Sequence, residues 1–297
     1  MIPIVLFVTA LVVRVAVGVL FPGPAYPDSY YYVHIGEQLA AGHGFVADYI
    51  WNFVDVGGGL PVDPTLPIPS NGHWMPLTAV VQVPFLVLIG KGALAAALPF
   101  WIVGAVAAPL TWWIGRDAGF DRVPAAAAGL LVALPGGLTP FLSQPDNFGL
   151  FMTLGALSLW LCARGMRGDR RAFLLGGFVV GLATLARSDG ILLGLPFAIV
   201  ALRELIRGRE RSVALATAVG CAALFAVAVA PWVYRQLDVF GSVFPSASSG
   251  RILWISDYSQ LYSIGTPAGP DTLFAGGSAR SSPAASAVSF RHSASLR

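Results

Sequence analysis

The sequence predicts an all-α fold, a polytopic bundle of about seven transmembrane helices with further helices lying against one face of the membrane. Three observations carry this. Of 297 residues, 56% are hydrophobic and 11% charged, against roughly a quarter charged in an ordinary soluble domain. The apolar residues gather into runs near the length of about 20 residues that a bilayer core requires. Basic residues collect in short loops between those runs, where they set orientation.

The apolar runs cover residues 2–21, 77–90, 93–114, 123–142, 148–163, 172–186, 190–202 and 213–234. Three compact basic stretches separate them, Arg116 to Arg122, Arg164 to Arg171 and Arg203 to Arg211. By the positive-inside rule all three are cytoplasmic, and two apolar runs lie between each and the next. The first span is followed by a loop rich in Asp and Pro, which places residues 22–76 outside. Only one crossing then fits before Arg116. The run 77–90, roughly 21 Å of helix, is too short for it and is expected as a juxtamembrane helix. Seven spans result, with the N-terminus cytoplasmic and the C-terminus extracytoplasmic at the cell membrane. A cleaved leader at residues 1–21 fits less well, because a basic n-region is missing and Arg14 interrupts the apolar run.

Residues 1–245 are expected to form the membrane module, with an external loop at 22–92 carrying juxtamembrane helices. Residues 246–275 read as an external segment, and 276–297, rich in Ser, Ala and Arg without periodicity, as a disordered tail. The net charge of +3 does not guarantee the basic patch that nucleic-acid binding needs, and no nucleic-acid partner is expected. Cys162 and Cys221 lie within or at the end of apolar runs, which argues against a disulfide framework.

The external loop opens with DSYYYVHIGEQLAAGHGF at Asp28 to Phe45, in which Tyr32, Ile35 and Leu39 share one face at helical spacing and Gly42 is a terminator. Asp28 is expected at the N-cap, and a carboxylate there is also placed to take a proton from a hydroxyl brought to the membrane surface. The hairpin 172–202 allows roughly 23 Å per arm, which sinks its tip, Arg187-Ser188-Asp189-Gly190, to headgroup level or below. Arg187 then either pairs with Asp189 or snorkels, or it meets a phosphate. Arg235 follows a Pro-Trp pair and reads as an interfacial anchor or a phosphate ligand. Arg14, in mid-span, is expected to face the bundle. The histidines His34, His43 and His73 show no metal-ligand spacing, so no metal is expected.

An arginine within the first span, an Asp opening an external helix that ends in a Gly-His-Gly-Phe turn, Trp74 to Leu77, and the external Asp146 in SQPDNFGLF resemble the GT-C glycosyltransferases. LARSDGILL at Leu185 to Leu193 and APWVYRQLDVFGSVFP at Ala230 to Pro245 narrow the resemblance to the protein O-mannosyltransferase and aminoarabinose-transferase-like branch. It implies transfer of a sugar from a polyprenyl-phosphate donor to a glycan, lipid or protein acceptor on the extracytoplasmic face. It also implies Asp28 as the first-loop catalytic carboxylate, Asp146 as the second-loop acid, and His73 near the donor phosphate. Asp146, directly before a span, is equally a helix cap. Relatives often carry paired acids where Ser29 follows Asp28 here, which weakens a metal-dependent version. Arg187 and Arg235 complete the expected donor-phosphate set, with Asp189, Tyr32 and Arg14 in support. Relatives usually continue with further spans, so the chain is expected to be a C-terminally truncated member. A transporter or lipid flippase with Arg14, Arg187 and Asp189 on its pathway, and a non-catalytic fragment, are the rival expectations.

Overall fold

The computed structural model describes residues 1–51, 53–56, 63, 65–207, 210–244 and 246. The segments at 246–275 and 276–297 therefore lie outside the described residues except at Ser246.

The first helix, α1 (Ile2–Leu20), is followed by α2 (Pro27–Ala40). A two-stranded antiparallel ribbon pairs β1 (Val46–Ala47) with β2 (Ile68–Pro69), Val46 opposite Pro69. Next come α3 (Leu77–Val80), α4 (Val83–Ile89) and α5 (Ala93–Asp117). The chain continues through α6 (Arg122–Ala133), α7 (Thr139–Leu142), α8 (Asn147–Met166), α9 (Arg170–Ala186), α10 (Gly194–Arg207) and α11 (Arg211–Phe240). The fold is all-α apart from the short ribbon.

Among the described residues, α1, α5, α8 and α11 are long and apolar enough to cross a membrane, and α6 with its continuation through α7, bent by 45°, makes up to five. Pro135 and Gly136 lie at that bend, where proline cannot continue the hydrogen-bond ladder. The remaining two expected spans are α9 and α10, of 17 and 14 residues. Each is shorter than a straight crossing needs. The 77–90 run is two short helices broken at Val81 and Gln82, ahead of Pro84, and the buried Gln82 side chain donates Nε2 to Tyr32 O (3.2 Å) and Thr78 O (2.9 Å). That polar clasp holds the pair against α2.

Two layers of helices meet on α8. On one side α5 is the core, packed by α1, α6 and α8, with Leu6, Ala10, Ala105, Ala108 and Ala133 buried together. On the other side α9 lies between α8 and α11. Gly177 and Gly181 permit the α9 to α11 approach, since a Cβ on Gly177 would stand 2.1 Å from Cys221 O and one on Gly181 2.6 Å from Ala228 Cβ. Small residues four apart are the usual device for close helix contact in lipid.

The three basic loops share one end of the bundle. Arg167 bonds Asp117 across the loops after α5 and α8, and Arg170 pairs with Glu210 at 3.0 Å across to the start of α11. The opposite end carries α2, the ribbon and the turns before α8 and after α9.

Candidate active site

At that opposite end the turn Ser143 to Asn147 is pinned onto the start of the external loop. Trp101 Nε1 donates to Ser143 O (2.7 Å), Gln144 Nε2 to Phe21 O (3.1 Å) and Ser29 Oγ to Pro145 O (3.4 Å). Gly23 permits the approach, because a Cβ there would lie 2.3 Å from Gln144 Oε1. These pins bring the first turn of α2 to the N-terminus of α8, and with them Asp28 and Asp146.

Asp28 is the second residue of α2. The N-cap is Tyr26, without a side-chain cap bond, and Pro27 takes the first helical position. The sequence expectation of Asp28 at the cap is corrected accordingly: proline's fixed φ suits the first position, which leaves Asp28 two positions inside the cap. There its charge still meets the helix dipole favourably. Its carboxylate accepts no hydrogen bond among the described residues and is half-buried. Burial first, and the charge of Asp146 second, hold its pKa above the ordinary carboxylate value.

Asp146 is the N-cap of α8, and its side chain accepts from Asn147 N. At 2% exposure it is far less accessible than Asp28. Burial raises its pKa, opposed by Tyr26, the Asn147 amide and Arg187. Tyr26 stands beside it with a buried hydroxyl that makes no well-formed hydrogen bond among the described residues. Burial and the Asp146 charge drive the Tyr26 phenol strongly upward, so the phenol stays protonated.

Arg187, between α9 and the 3-10 turn Ser188–Leu193, reaches the same cluster. Its Nε and Nη2 donate to the two carboxylate oxygens of Asp189 (3.1 and 3.3 Å), and Nη1 donates to Asn147 Oδ1 (3.4 Å). The guanidinium lies 5.4 Å over the Phe151 ring. Asn147 Nδ2 donates to Tyr32 Oη at 3.1 Å. Tyr32, 1% exposed, is held protonated by burial, with Asp146 adding to the effect. Asp28, Asp146, Tyr32, Arg187 and Asp189 thus converge.

His73, Arg235 and Arg14 do not join them directly. The His73 ring packs edge-on against Trp74 (4.3 Å), and Trp74 against Tyr32 (6.1 Å). Burial lowers its pKa to about 4, so near neutral pH the ring is uncharged. Arg235 is engaged away from that cluster: its Nη2 donates to Phe45 O (3.1 Å) and Ser70 O (2.9 Å). Its guanidinium also lies over Phe45, Trp232 and Phe240. It clamps the external ribbon to α11. The neighbouring Gln236 Nε2 donates to Asn71 O (2.7 Å), and Tyr31 Oη accepts from Asn71 N (2.7 Å). Arg14 is fully buried between α1 and α5, bonded from Nη1 to Ala10 O (3.1 Å), with Gly104 leaving it room. Its Nε and Nη2 make no hydrogen bond among the described residues.

Two polar residues escaped sequence reading. Asn147 sits at the centre of the cluster, and its only sequence signal is adjacency to Asp146. Asp55, 6% exposed, accepts from Gly72 N at 2.7 Å beneath the ribbon. Among the described residues no group of three or more His, Cys, Asp or Glu is placed to hold a metal ion.

No curated protein and no solved structure matches the chain. Residues 73–234, more than half of it, match the dolichyl-phosphate-mannose-protein mannosyltransferase family. That stretch contains Asp146, Asn147, Arg187 and Asp189, while Asp28 and α2 precede it. With the all-α membrane fold and the convergent acids at one end of the bundle, the match identifies the chain as a member of that family, membrane glycosyltransferases of the mannosyltransferase type.

Proposed function

We propose that the end of the bundle opposite the basic loops lies on the extracytoplasmic face and transfers a hexosyl or pentosyl group from a polyprenyl-phosphate donor to an acceptor hydroxyl. The observation that carries this reading is that the Asp146 turn is coupled on one side to Asp28, which is half-buried and without a hydrogen bond among the described residues, and on the other to Arg187. Asp28 takes the proton of the acceptor hydroxyl as the new bond forms between its oxygen and the anomeric carbon. The bond from that carbon to the phosphate oxygen breaks, and the electron pair leaves on the phosphate. Arg187 offsets the charge that develops there. A base whose pKa is raised toward working pH is the stronger proton acceptor, and burial with Asp146 supplies that rise. Asp146 acts through Asp28 and is a positioning residue.

Membership of a transferase family favours this reading over the transporter and flippase alternatives. The test offers membranes two donors, labelled mannose on dolichyl phosphate and labelled mannose on a nucleotide diphosphate. Transfer from the lipid-linked donor alone is expected. Transfer from the nucleotide sugar alone overturns the proposal.

A further inference from the structure

We propose that Asn147 is a positioning residue for the donor phosphate, holding the Arg187 guanidinium so that one edge of it faces the phosphate; this rests on the phosphate role proposed for Arg187. A guanidinium has five N–H donors in a rigid plane. In Arg187 three are engaged: Nε and one hydrogen of Nη2 on Asp189, and one hydrogen of Nη1 on Asn147 Oδ1. The Phe151 ring covers one face. Among the described residues two donors remain, one on each terminal nitrogen, and these are what the guanidinium offers to a phosphate.

Asp189 alone leaves the guanidinium able to swing about the shared carboxylate. Asn147 Oδ1 closes that freedom from the other side. Its amide is itself fixed, because Nδ2 donates to Tyr32 Oη and the residue is buried at the first position of α8. Tyr32 is anchored in turn in the cluster of Tyr31, Ile35, Ala47, Ile68 and Ala79. The chain from Tyr32 through Asn147 to Arg187 therefore carries the rigidity of the external loop to the cation. A carboxylate at 147 would also accept from Arg187 but would compete with the phosphate for it.

The experiment measures binding of dolichyl phosphate mannose to the full chain in detergent. Arg187→Ala, Asn147→Ala, Asn147→Asp, Tyr32→Phe and the Tyr32→Phe, Asn147→Ala double variant are compared, with thermal stability recorded for each. Asn147→Ala is expected to weaken binding about tenfold, the usual worth of a hydrogen bond to a charged group. Tyr32→Phe should add nothing to it in the double variant. The near-isosteric Asn147→Asp should bind weakly at neutral pH and recover as the introduced carboxylate protonates, a pH dependence that general loosening does not produce. If Arg187→Ala binds as wild type, the phosphate reading falls and the positioning role with it. If Arg187→Ala is impaired while Asn147→Ala or Asn147→Asp binds as wild type at every pH, the phosphate reading survives and the role of Asn147 is overturned.

Discussion

Asp55 makes the external ribbon pH-dependent, and Asp55→Asn should remove that dependence. Burial pushes its carboxyl up to about 7, opposed by the Gly72 amide and the Arg235 charge. An unfolded aspartate titrates near 3.9, so the closed loop binds a proton over the interval that the open loop does not. The stability gained from that proton is fully present below about pH 4 and is lost as pH rises through about 7. A difference of about 3 pH units corresponds to about 4 kcal/mol as a ceiling, or close to a tenfold loss in closing equilibrium per unit. The reporter is the Gly72 amide, which donates to Asp55 Oδ1 at 2.7 Å. Hydrogen exchange of a peptide spanning 68–73, corrected for intrinsic exchange, should show opening that grows steeply from pH 4 to 7 and then levels. In Asp55→Asn, where the side-chain oxygen still accepts from Gly72, the corrected opening should be flat. A wild-type profile that is flat over the same interval refutes the reasoning, and so does an Asp55→Asn profile as steep as wild type.

Arg235→Ala removes two charge-assisted bonds to Phe45 O and Ser70 O, together worth about 3 kcal/mol or more. Limited proteolysis should then cut the ribbon faster while the affinity for dolichyl phosphate mannose stays within about threefold; a large loss of donor affinity would return Arg235 to the phosphate site. Asp146→Asn should shift the acidic limb of the transfer rate toward lower pH, because the charge that helps raise the Asp28 pKa is gone; an unmoved limb would mean that Asp146 does not act through Asp28.

The helices of the bundle were largely legible because spans advertise themselves by hydropathy, and the arginine-rich loops do share one end of it. The boundaries of α1, α5, α8 and α11 follow the apolar runs, and the face of α2 formed by Tyr32, Ile35 and Leu39 turned inward as its spacing implied. What escaped were contacts between residues far apart in sequence. Arg235 meets Phe45 across 190 positions, and from sequence an arginine after Pro-Trp looks the same whether it clamps a loop or faces a phosphate. The 77–90 run breaks ahead of Pro84, which has no N–H for Val80 O, whereas the reach of the Gln82 side chain to Tyr32 O is a fact of packing. Asp28 and Asp146 were legible as acids in a charge-poor chain, yet their unequal access was not. That depends on the pins from Trp101, Gln144 and Ser29. Asn147 had no charge to draw notice.

The central claim is that Asp28 takes the acceptor proton in a transfer from a lipid-linked sugar. Its most direct test is the rate of labelled mannose transfer from dolichyl phosphate mannose in membranes carrying equal amounts of wild type and Asp28→Asn. The isosteric amide keeps the first turn of α2 and cannot accept the proton, so transfer should fall by about 10² or more with donor binding retained. Transfer at the wild-type rate in Asp28→Asn would contradict the account.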